Sequence, residues 1–179
     1  MRDPFEQLER SHRRLEEHLD DLAAVAHEAR ETGRADAYRL DGVREIVGFF
    51  ARAVRRHEDD EEKSLFPRLA SDPSLNATIA KLTEEHRAHE VLHAALDRVV
   101  GVLDGAPEDT AAIAELDRVS TALHDAYRAH IEEEERTVFP RAREIVAGDA
   151  REAMAVEMEN RRGGASGGGR GRGGGGGGR

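Results

Sequence analysis

Two segments of the chain repeat one acidic, histidine-bearing pattern. Residues 56–68 read RHEDDEEKSLFPR, and residues 129–141 read AHIEEEERTVFPR. In each segment a His precedes a Glu by four positions, and Phe-Pro-Arg follows. The two pairs are His57 with Glu61 and His130 with Glu134. Because positions i and i+4 lie about 40° apart around a helix, each pair presents an imidazole and a carboxylate on one face. Such groups are ligands for transition-metal ions.

Two further histidines complete the pattern. His12 lies 45 residues before His57, and His86 lies 44 residues before the second motif histidine. The chain therefore contains two copies of one unit, residues 1–69 and residues 75–143. Each copy supplies a single His and then His-x-x-x-Glu. One copy cannot surround a pair of metal ions, whereas two copies related by a pseudo-twofold axis can.

All six of these residues fall on apolar stripes that are expected to face a core. A single His on such a stripe is more often a hydrogen-bonded core residue than a metal ligand. Here all four stripes carry at least one His, and two of them add a Glu one turn later. Burying an ionised carboxylate without a partner costs several kcal/mol or more. A cation among the six side chains is the interpretation that makes the sequence consistent.

The number of ligands predicts two ions. Four His and two Glu exceed the needs of one ion, and a carboxylate can bridge two, so we expect Glu61 and Glu134 to bridge. Imidazole and carboxylate without sulfur suit iron or manganese better than copper, and zinc remains chemically possible. The chain has no Cys, which excludes thiolate zinc sites and iron–sulfur clusters. The other acids of the runs 59–62 and 132–135 are expected to be mostly solvated.

The elements that must position these residues are helices. Apolar residues recur at spacings of three and four over residues 4–30, 41–66, 75–103 and 108–139, and no useful stretch alternates as a strand does. Four such helices with short connections predict an all-α, antiparallel up-down-up-down four-helix bundle. Asp3 is expected to cap the first helix, and Pro67 to stop or kink the second. A last helix is predicted over residues 140–160, of which 148–160 extend beyond the bundle domain of residues 1–147.

Composition sets the expected partners. Residues 161–179 are Gly and Arg except for Ala165 and Ser166 and have no apolar side chain larger than Ala, so they are predicted to form a disordered tail. The net charge is −10, and the five Arg of that tail leave −15 on residues 1–160. A folded part that acidic repels phosphate backbones, so nucleic-acid binding is not expected. The sequence lacks a membrane-length apolar run and a signal-peptide pattern, and a cytoplasmic protein is expected.

The motif residues resemble those of the hemerythrin-like (HHE cation-binding) family. The matching stretches are ERSHRRLEEHL with His12, HEDDEEKSLFP with His57 and Glu61, TEEHRAHEVL with His86, and HIEEEERTVFP with His130 and Glu134. The resemblance covers roughly residues 3–145. It implies a hemerythrin-like bundle and a non-haem centre of two iron ions per chain with carboxylate bridges. In this family the centre meets dioxygen, nitric oxide or peroxide, or senses iron.

The sequence departs from the oxygen-carrying members of that family in two positions. Those members carry His-x-x-x-His on the third helix and an Asp ligand on the fourth. Here Glu90 stands four residues after His86, and Glu134 stands where the Asp is expected. A ligand set richer in carboxylates favours ferric iron and weakens reversible oxygen binding. We therefore expect reactivity, such as catalase-like decomposition of peroxide, rather than simple oxygen carriage.

Five further residues are candidates near the centre. His89 and His93 face inward on the third helix and are either extra ligands or neighbours of the ligands. Tyr127 is either a core residue with a satisfied hydroxyl or a hydrogen-bond donor to a bound oxygen species. Glu58 and Glu90 are alternative carboxylate ligands or surface groups.

Three functions stay open on the sequence alone. The first is a protein that binds or decomposes oxygen species. The second is an iron or oxygen sensor without turnover. The third, a metal-free interaction bundle, is disfavoured by the buried Glu pair.

Overall fold

The computed structural model describes residues 2–163. Within that range eight α-helices follow one another: α1 (Pro4–Thr32), α2 (Ala37–Phe49), α3 (Arg55–Asp60), α4 (Phe66–Arg68), α5 (Asn76–Gly105), α6 (Thr110–Glu133), α7 (Phe139–Ile145) and α8 (Asp149–Gly163). Three π-helical turns, in which backbone N–H groups bond five residues back, continue the chain between helices: Phe50–Val54, Glu61–Leu65 and Glu134–Val138. A single 3₁₀ turn covers Pro73–Leu75. The run α2–α4 is thus one long arm, and α6–α7 is another.

The four arms α1, α2–α4, α5 and α6–α7 form an antiparallel bundle. α1 packs along α6 and α2, and α5 also packs along α6 and α2. Each arm therefore has two neighbours, and short connections reverse the chain between successive arms. The predicted all-α four-helix bundle is confirmed, and residues 2–163 contain no strand. Over the same residues, no helix has both the length and the apolar character that crossing a membrane requires.

Local polar groups fix the helix ends. The Asp3 Oδ1 atom accepts a hydrogen bond from the backbone N–H of Phe5 at 2.9 Å, so the predicted cap of α1 is confirmed. Gly33 follows the helix with φ of 67°, a left-handed conformation that costs glycine little. Asp36 caps α2, which begins four residues before its predicted start. Each cap satisfies backbone donors that the first helical turn leaves free.

Each Phe-Pro sequence lies in a short α-helical segment that directly follows a π turn. Pro67 lies in α4, which ends one residue later at Arg68, so the predicted end of the second arm near Phe66 is confirmed. Pro140 lies in α7, which continues α6 through a π turn, so the predicted start of a separate helix at Pro140 is wrong. Proline has no backbone N–H and breaks the regular α-helical ladder. The chain accommodates it by widening the preceding turn, where the N–H of Phe66 bonds to the carbonyl of Glu61 and that of Phe139 to Glu134. π turns of this kind are frequent at functional sites.

The buried apolar side chains form two clusters along the bundle axis. One includes Leu15 and Leu123 together with the residues toward the Gly33 end of the bundle. The other includes Phe5, Leu8 and Phe139 and lies toward the opposite end. On α1, His12 falls between Leu8 of one cluster and Leu15 of the other. The histidine- and glutamate-bearing layer therefore lies between two apolar clusters, which exclude water from both ends of it.

The last helix closes one end of the bundle. Gly148 has φ of 54° and separates α7 from α8, and Met154 and Met158 of α8 are fully buried in the second apolar cluster. α8 reaches Gly163, so the first three residues of the predicted tail, 161–163, are helical instead. α8 extends to these residues because Arg161 and Arg162 form ion pairs with the buried Asp60, which the sequence pattern does not indicate. The remainder of the predicted tail, residues 164–179, lies outside the described residues.

Candidate metal centre

All six predicted ligands lie in one buried layer. His12, Glu61 and Glu134 have no exposed surface, and the other three are at most 5% exposed. His12 comes from α1, His86 from α5 and His130 from α6, while His57 comes from α3. Glu61 and Glu134 each begin a π turn, directly after α3 and α6. Every arm thus contributes one His, and the two motif arms add one Glu each.

The ligand atoms fall into two groups of four that share both carboxylates. The first group is His12, His57, Glu61 and Glu134, and the second is Glu61, His86, His130 and Glu134, with the atoms of each group within 4.8 Å of one another. In the first group His57 Nε2 lies 3.0 Å from Glu61 Oε1, and His12 Nε2 lies 3.2 Å from Glu134 Oε2. In the second group the corresponding distances are 3.4 Å from His86 to Glu61 and 3.5 Å from His130 to Glu134.

The shared carboxylates lack aligned hydrogen-bond donors. All four oxygens of Glu61 and Glu134 are buried, and within residues 2–163 none accepts a hydrogen bond of good geometry, although imidazole nitrogens lie close by. The inner nitrogens of the second group also lie close together, with His86 Nε2 3.2 Å from His130 Nε2. An orphaned buried carboxylate costs several kcal/mol or more, and a metal ion in each ligand group removes that cost. The donor set fits two ions.

Three imidazoles are oriented through their outer nitrogen. His12 Nδ1 lies 2.9 Å from Glu135 Oε1, His86 Nδ1 lies 2.7 Å from Glu62 Oε1, and His130 Nδ1 lies 2.9 Å from Glu85 Oε2. A carboxylate at Nδ1 holds the proton there and leaves the Nε2 lone pair facing the centre. Metal-binding histidines nearly always have such a partner, which also raises their basicity. The geometry at three of four imidazoles is therefore that of metal-binding histidines.

These carboxylates were missed by the sequence interpretation, which assigned Glu62 and Glu135 to solvated faces. On its own helix, a residue next to Glu61 or Glu134 lies about 100° away from the bridging position. Glu62 and Glu135 act across the bundle, on histidines of the neighbouring arms α5 and α1. The Glu-Glu doublet, present in both copies of the motif, is the sequence signal that could have indicated them.

Without metal, protons take the place of cations at the centre. Burial works to lower the pKa of His86, but Glu61, Glu58 and Glu62 outweigh it and raise that pKa to about 9. The pKa of His12 is likewise raised well above its ordinary value, because Glu134 and Glu135 raise it by more than burial lowers it. Burial works to raise the pKa of Glu61, yet the surrounding imidazoles hold it well below its ordinary value. Metal uptake at neutral pH therefore has to displace protons from imidazoles.

A second buried polar group lies against the centre. The Tyr127 hydroxyl is 2.9 Å from His93 Nε2 and 3.4 Å from Glu58 Oε1, and the ring of His89 packs on Tyr127 with 3.9 Å between centroids. Burial raises the pKa of Glu58 to about 7 and lowers that of His89 to about 3. Neither His89 nor Glu58 belongs to the two ligand groups. Tyr127 has the satisfied hydroxyl of a core residue, in contact with a carboxyl adjacent to the predicted ligand His57.

One candidate lies away from the centre. Glu90 is half exposed and forms an ion pair with Arg55, so its proposed role as a ligand is not supported by its position. The reason is geometric: His86 and His89 are both buried, so the inner face of α5 lies between them, whereas Glu90 lies on the other side of His86, about 100° around the helix from His89. Glu90 instead borders a surface cavity of about 210 Å³ whose lining includes Glu58, Glu62 and His86. This cavity approaches the second ligand group from solvent.

Comparison with known proteins identifies the family. The family model described as Hemerythrin HHE cation binding domain matches residues 3–156, which include all six predicted ligands and most of the helical chain. A comparison with curated proteins finds no match. Because the family model covers well over half of the sequence, the chain belongs to the hemerythrin HHE cation-binding domain family.

Proposed function

We propose that this protein binds two iron ions between its four histidines and two bridging glutamates, and that the centre binds or reacts with a small oxygen species. The observation that carries the proposal is the pair of ligand groups that share Glu61 and Glu134. Two separate sites would not share both carboxylates, and a single site would leave two imidazoles without a role. The absence of hydrogen bonds to the shared oxygens supports the same conclusion.

The donor chemistry supports iron as the metal. Each group offers two imidazole nitrogens and carboxylate oxygens without sulfur, a set that suits iron or manganese. Two imidazoles and carboxylate oxygen leave positions open on an ion that prefers six ligands, as in non-haem iron oxygenases. Bound iron supplies Lewis acidity and electron exchange toward a molecule such as peroxide, nitric oxide or dioxygen. Anionic ligands favour the ferric state, which supports reaction with peroxide over reversible oxygen carriage.

The chain's own residues provide the environment for that chemistry. The Phe139 ring lies parallel to His12 at 5.4 Å, and the Phe66 ring lies parallel to His86 at 6.3 Å, so aromatic faces shield one side of the layer. On the opposite side Tyr127 donates to Glu58, and burial keeps the pKa of the Tyr127 hydroxyl well above its ordinary value. We propose that this protonated hydroxyl orients Glu58 at the inner end of the surface cavity, through which small molecules reach the centre.

Peroxide decomposition tests this proposal. Protein loaded with iron is expected to release oxygen from hydrogen peroxide faster than the same concentration of free iron. His57→Ala should abolish the activity because it removes a ligand, whereas Tyr127→Phe should retain the metal and change only the rate. The surface variant Glu115→Gln serves as the control, because Glu115 pairs with the exposed Arg118 away from the centre. Activity no higher than that of free iron, with repeated reversible oxygenation, would support a carrier instead.

A sensor is the second candidate, and one contact favours it. Asp60, next to the bridging Glu61, is fully buried and binds Arg161 and Arg162 of α8. Ser64, within the π turn that begins at Glu61, donates a hydrogen bond to Glu157 of α8 at 2.6 Å. A shift of Glu61 on metal binding therefore reaches α8 directly. Inertness toward peroxide, combined with a metal-dependent change in protease cleavage of α8, would favour the sensor.

A further inference from the structure

The two halves of the centre are alike at their single histidines. His12 of the first copy binds Glu135, and His86 of the second copy binds Glu62. In both cases the carboxylate follows the bridging Glu of the other copy by one residue. Both contacts obey the pseudo-twofold relation between the copies, and each gives one imidazole of each ligand group a carboxylate partner.

The motif histidines break this symmetry. His130 Nδ1 binds Glu85, the residue before His86. The equivalent residue before His12 is Ser11, whose hydroxyl donates to the backbone carbonyl of Gln7 at 3.0 Å and not to His57. The Nδ1 atom of His57 is buried and has no hydrogen-bond partner among residues 2–163. The second ligand group thus has two imidazoles with carboxylate partners, and the first group has one.

The described residues that line the pocket beside His57 include no carboxylate. This small pocket of about 30 Å³ is lined by Ser11, Arg14 and Phe49 together with Leu15, Ala53 and Val54. The guanidinium of Arg14 can only donate hydrogen bonds, and the remaining side chains of the lining are apolar apart from the Ser11 hydroxyl. The pocket volume suits about one water molecule, a weaker acceptor than a carboxylate.

We propose that the two metal positions are unequal, with the position of His86 and His130 binding its ion more tightly and the position of His12 and His57 filling last and emptying first. The inference rests on the proposed binding of two ions. Loss of the hydrogen-bond partner of a metal-binding histidine typically lowers metal affinity about 10- to 100-fold, and the two groups otherwise share the same carboxylates. The ion held with His57 is therefore the exchangeable one.

Cobalt titration of the metal-free protein tests the inequality. Co²⁺ substitutes for Fe²⁺ and reports each binding step through its visible absorption, in competition with a chelator of known affinity. The wild-type chain is expected to bind two Co²⁺ in two resolved steps, about 10- to 100-fold apart in dissociation constant. Ser11→Glu, which copies Glu85 into the first half, should tighten only the weaker step. Glu85→Gln should weaken only the tighter step.

The controls separate this inference from the proposed function. Ser11→Ala removes a hydroxyl that donates to the Gln7 carbonyl and not to His57, so both steps should keep their wild-type affinities. Two Co²⁺ bound with one dissociation constant, or a Ser11→Glu variant with unchanged affinities, would overturn the inequality while leaving the two-ion centre intact. Uptake of fewer than two Co²⁺ by the wild-type chain would overturn both. A gain of affinity in Ser11→Glu cannot arise from misfolding.

Discussion

Carboxylates outside the ligand set hold three of the four predicted imidazole ligands. Glu135, Glu62 and Glu85 each lie within 2.9 Å of the Nδ1 atom of a histidine that belongs to a different arm. The six inner residues were predicted from the sequence because their spacing placed charge on apolar stripes. The outer carboxylates were not predicted, because each occupies a position typical of a surface residue on its own helix. They contact a histidine only because two arms pack against each other.

Neutralising Glu135 or Glu62 is expected to weaken metal binding. Glu135→Gln and Glu62→Gln each remove the charged partner of one histidine, so metal affinity should fall about 10- to 100-fold. The measurement is a metal titration against a competing chelator. Glu132→Gln is the matched control, because Glu132 belongs to the same acidic run but is exposed. Equal losses in all three variants would show that only the general acidic field matters.

His93 is expected to make the fold sensitive to acid. Burial lowers its pKa to about 4, whereas the pKa of an unfolded histidine is about 6.5. Below pH 6.5 this histidine therefore binds a proton in the unfolded chain but stays neutral in the folded chain. The free energy of unfolding consequently falls as the pH drops toward 4. Between pH 7 and pH 5 this amounts to about 2 kcal/mol.

Urea unfolding of the metal-free protein measures that effect. His93→Gln should lose about 2 kcal/mol less stability than the wild type between pH 7 and pH 5, because glutamine does not titrate. The comparison at each pH cancels the contribution of the other histidines. Parallel losses in the two proteins would mean that His93 accepts a proton as readily in the folded state as in the unfolded one.

The helical arms could be predicted from apolar periodicity and capping residues, but the π turns within them could not. The apolar spacing and Asp3 predicted α1 nearly to its ends. The π turns Glu61–Leu65 and Glu134–Val138 were not predicted, because Pro67 and Pro140 indicate a break in any pattern based on a regular α-helix. Each of these two π turns begins at one of the two shared glutamates and ends just before Phe-Pro. The repeated Phe-Pro therefore marks where the helix widens beside the metal layer.

The sequence pattern also did not predict that α8 is attached to the bundle through Asp60. This carboxylate has no exposed surface, and Arg161 and Arg162 bind its two oxygens at 2.6 and 2.7 Å. Replacing both arginines with alanine leaves a buried charge unpaired. The free energy of unfolding should fall by about 3 kcal/mol, the lower end for broken buried pairs, because both arginines are partly exposed.

A third substitution distinguishes charge from packing. Adding Asp60→Asn to the double variant removes the unpaired charge and should recover part of the lost stability in urea unfolding. Arg118→Ala is the control, because its pair with Glu115 is exposed and should contribute at most about 1 kcal/mol. A double variant as stable as the wild type would show that Asp60 does not need α8.

The whole molecule is an acidic bundle organised around its charged layer. The chain carries a net charge of −10, and its two apolar clusters enclose a layer in which two glutamates lie among four histidines. Such a charge distribution attracts cations toward the molecule. The bundle itself was predictable because its stripes are apolar, and the inner charges were predictable because they interrupt those stripes.

Metal is expected to stabilise the entire fold. Binding to the folded chain alone contributes roughly 4 kcal/mol when the free ion exceeds its Kd a thousandfold. The melting temperature should therefore rise clearly when metal is added to chelator-treated protein. Glu134→Ala, which removes a shared carboxylate, should show little of that rise. Identical melting of wild-type protein with and without metal would mean that the ions bind only at the surface.

The most direct test of the account locates the ions themselves. Crystals of the iron-loaded protein, measured on both sides of the iron absorption edge, give an anomalous difference map in which only iron contributes strong new peaks. We expect two peaks inside the bundle, one between His12 and His57 and one between His86 and His130, with Glu61 and Glu134 contacting both. A single peak in the layer, or peaks confined to the acidic surface, would contradict this expectation.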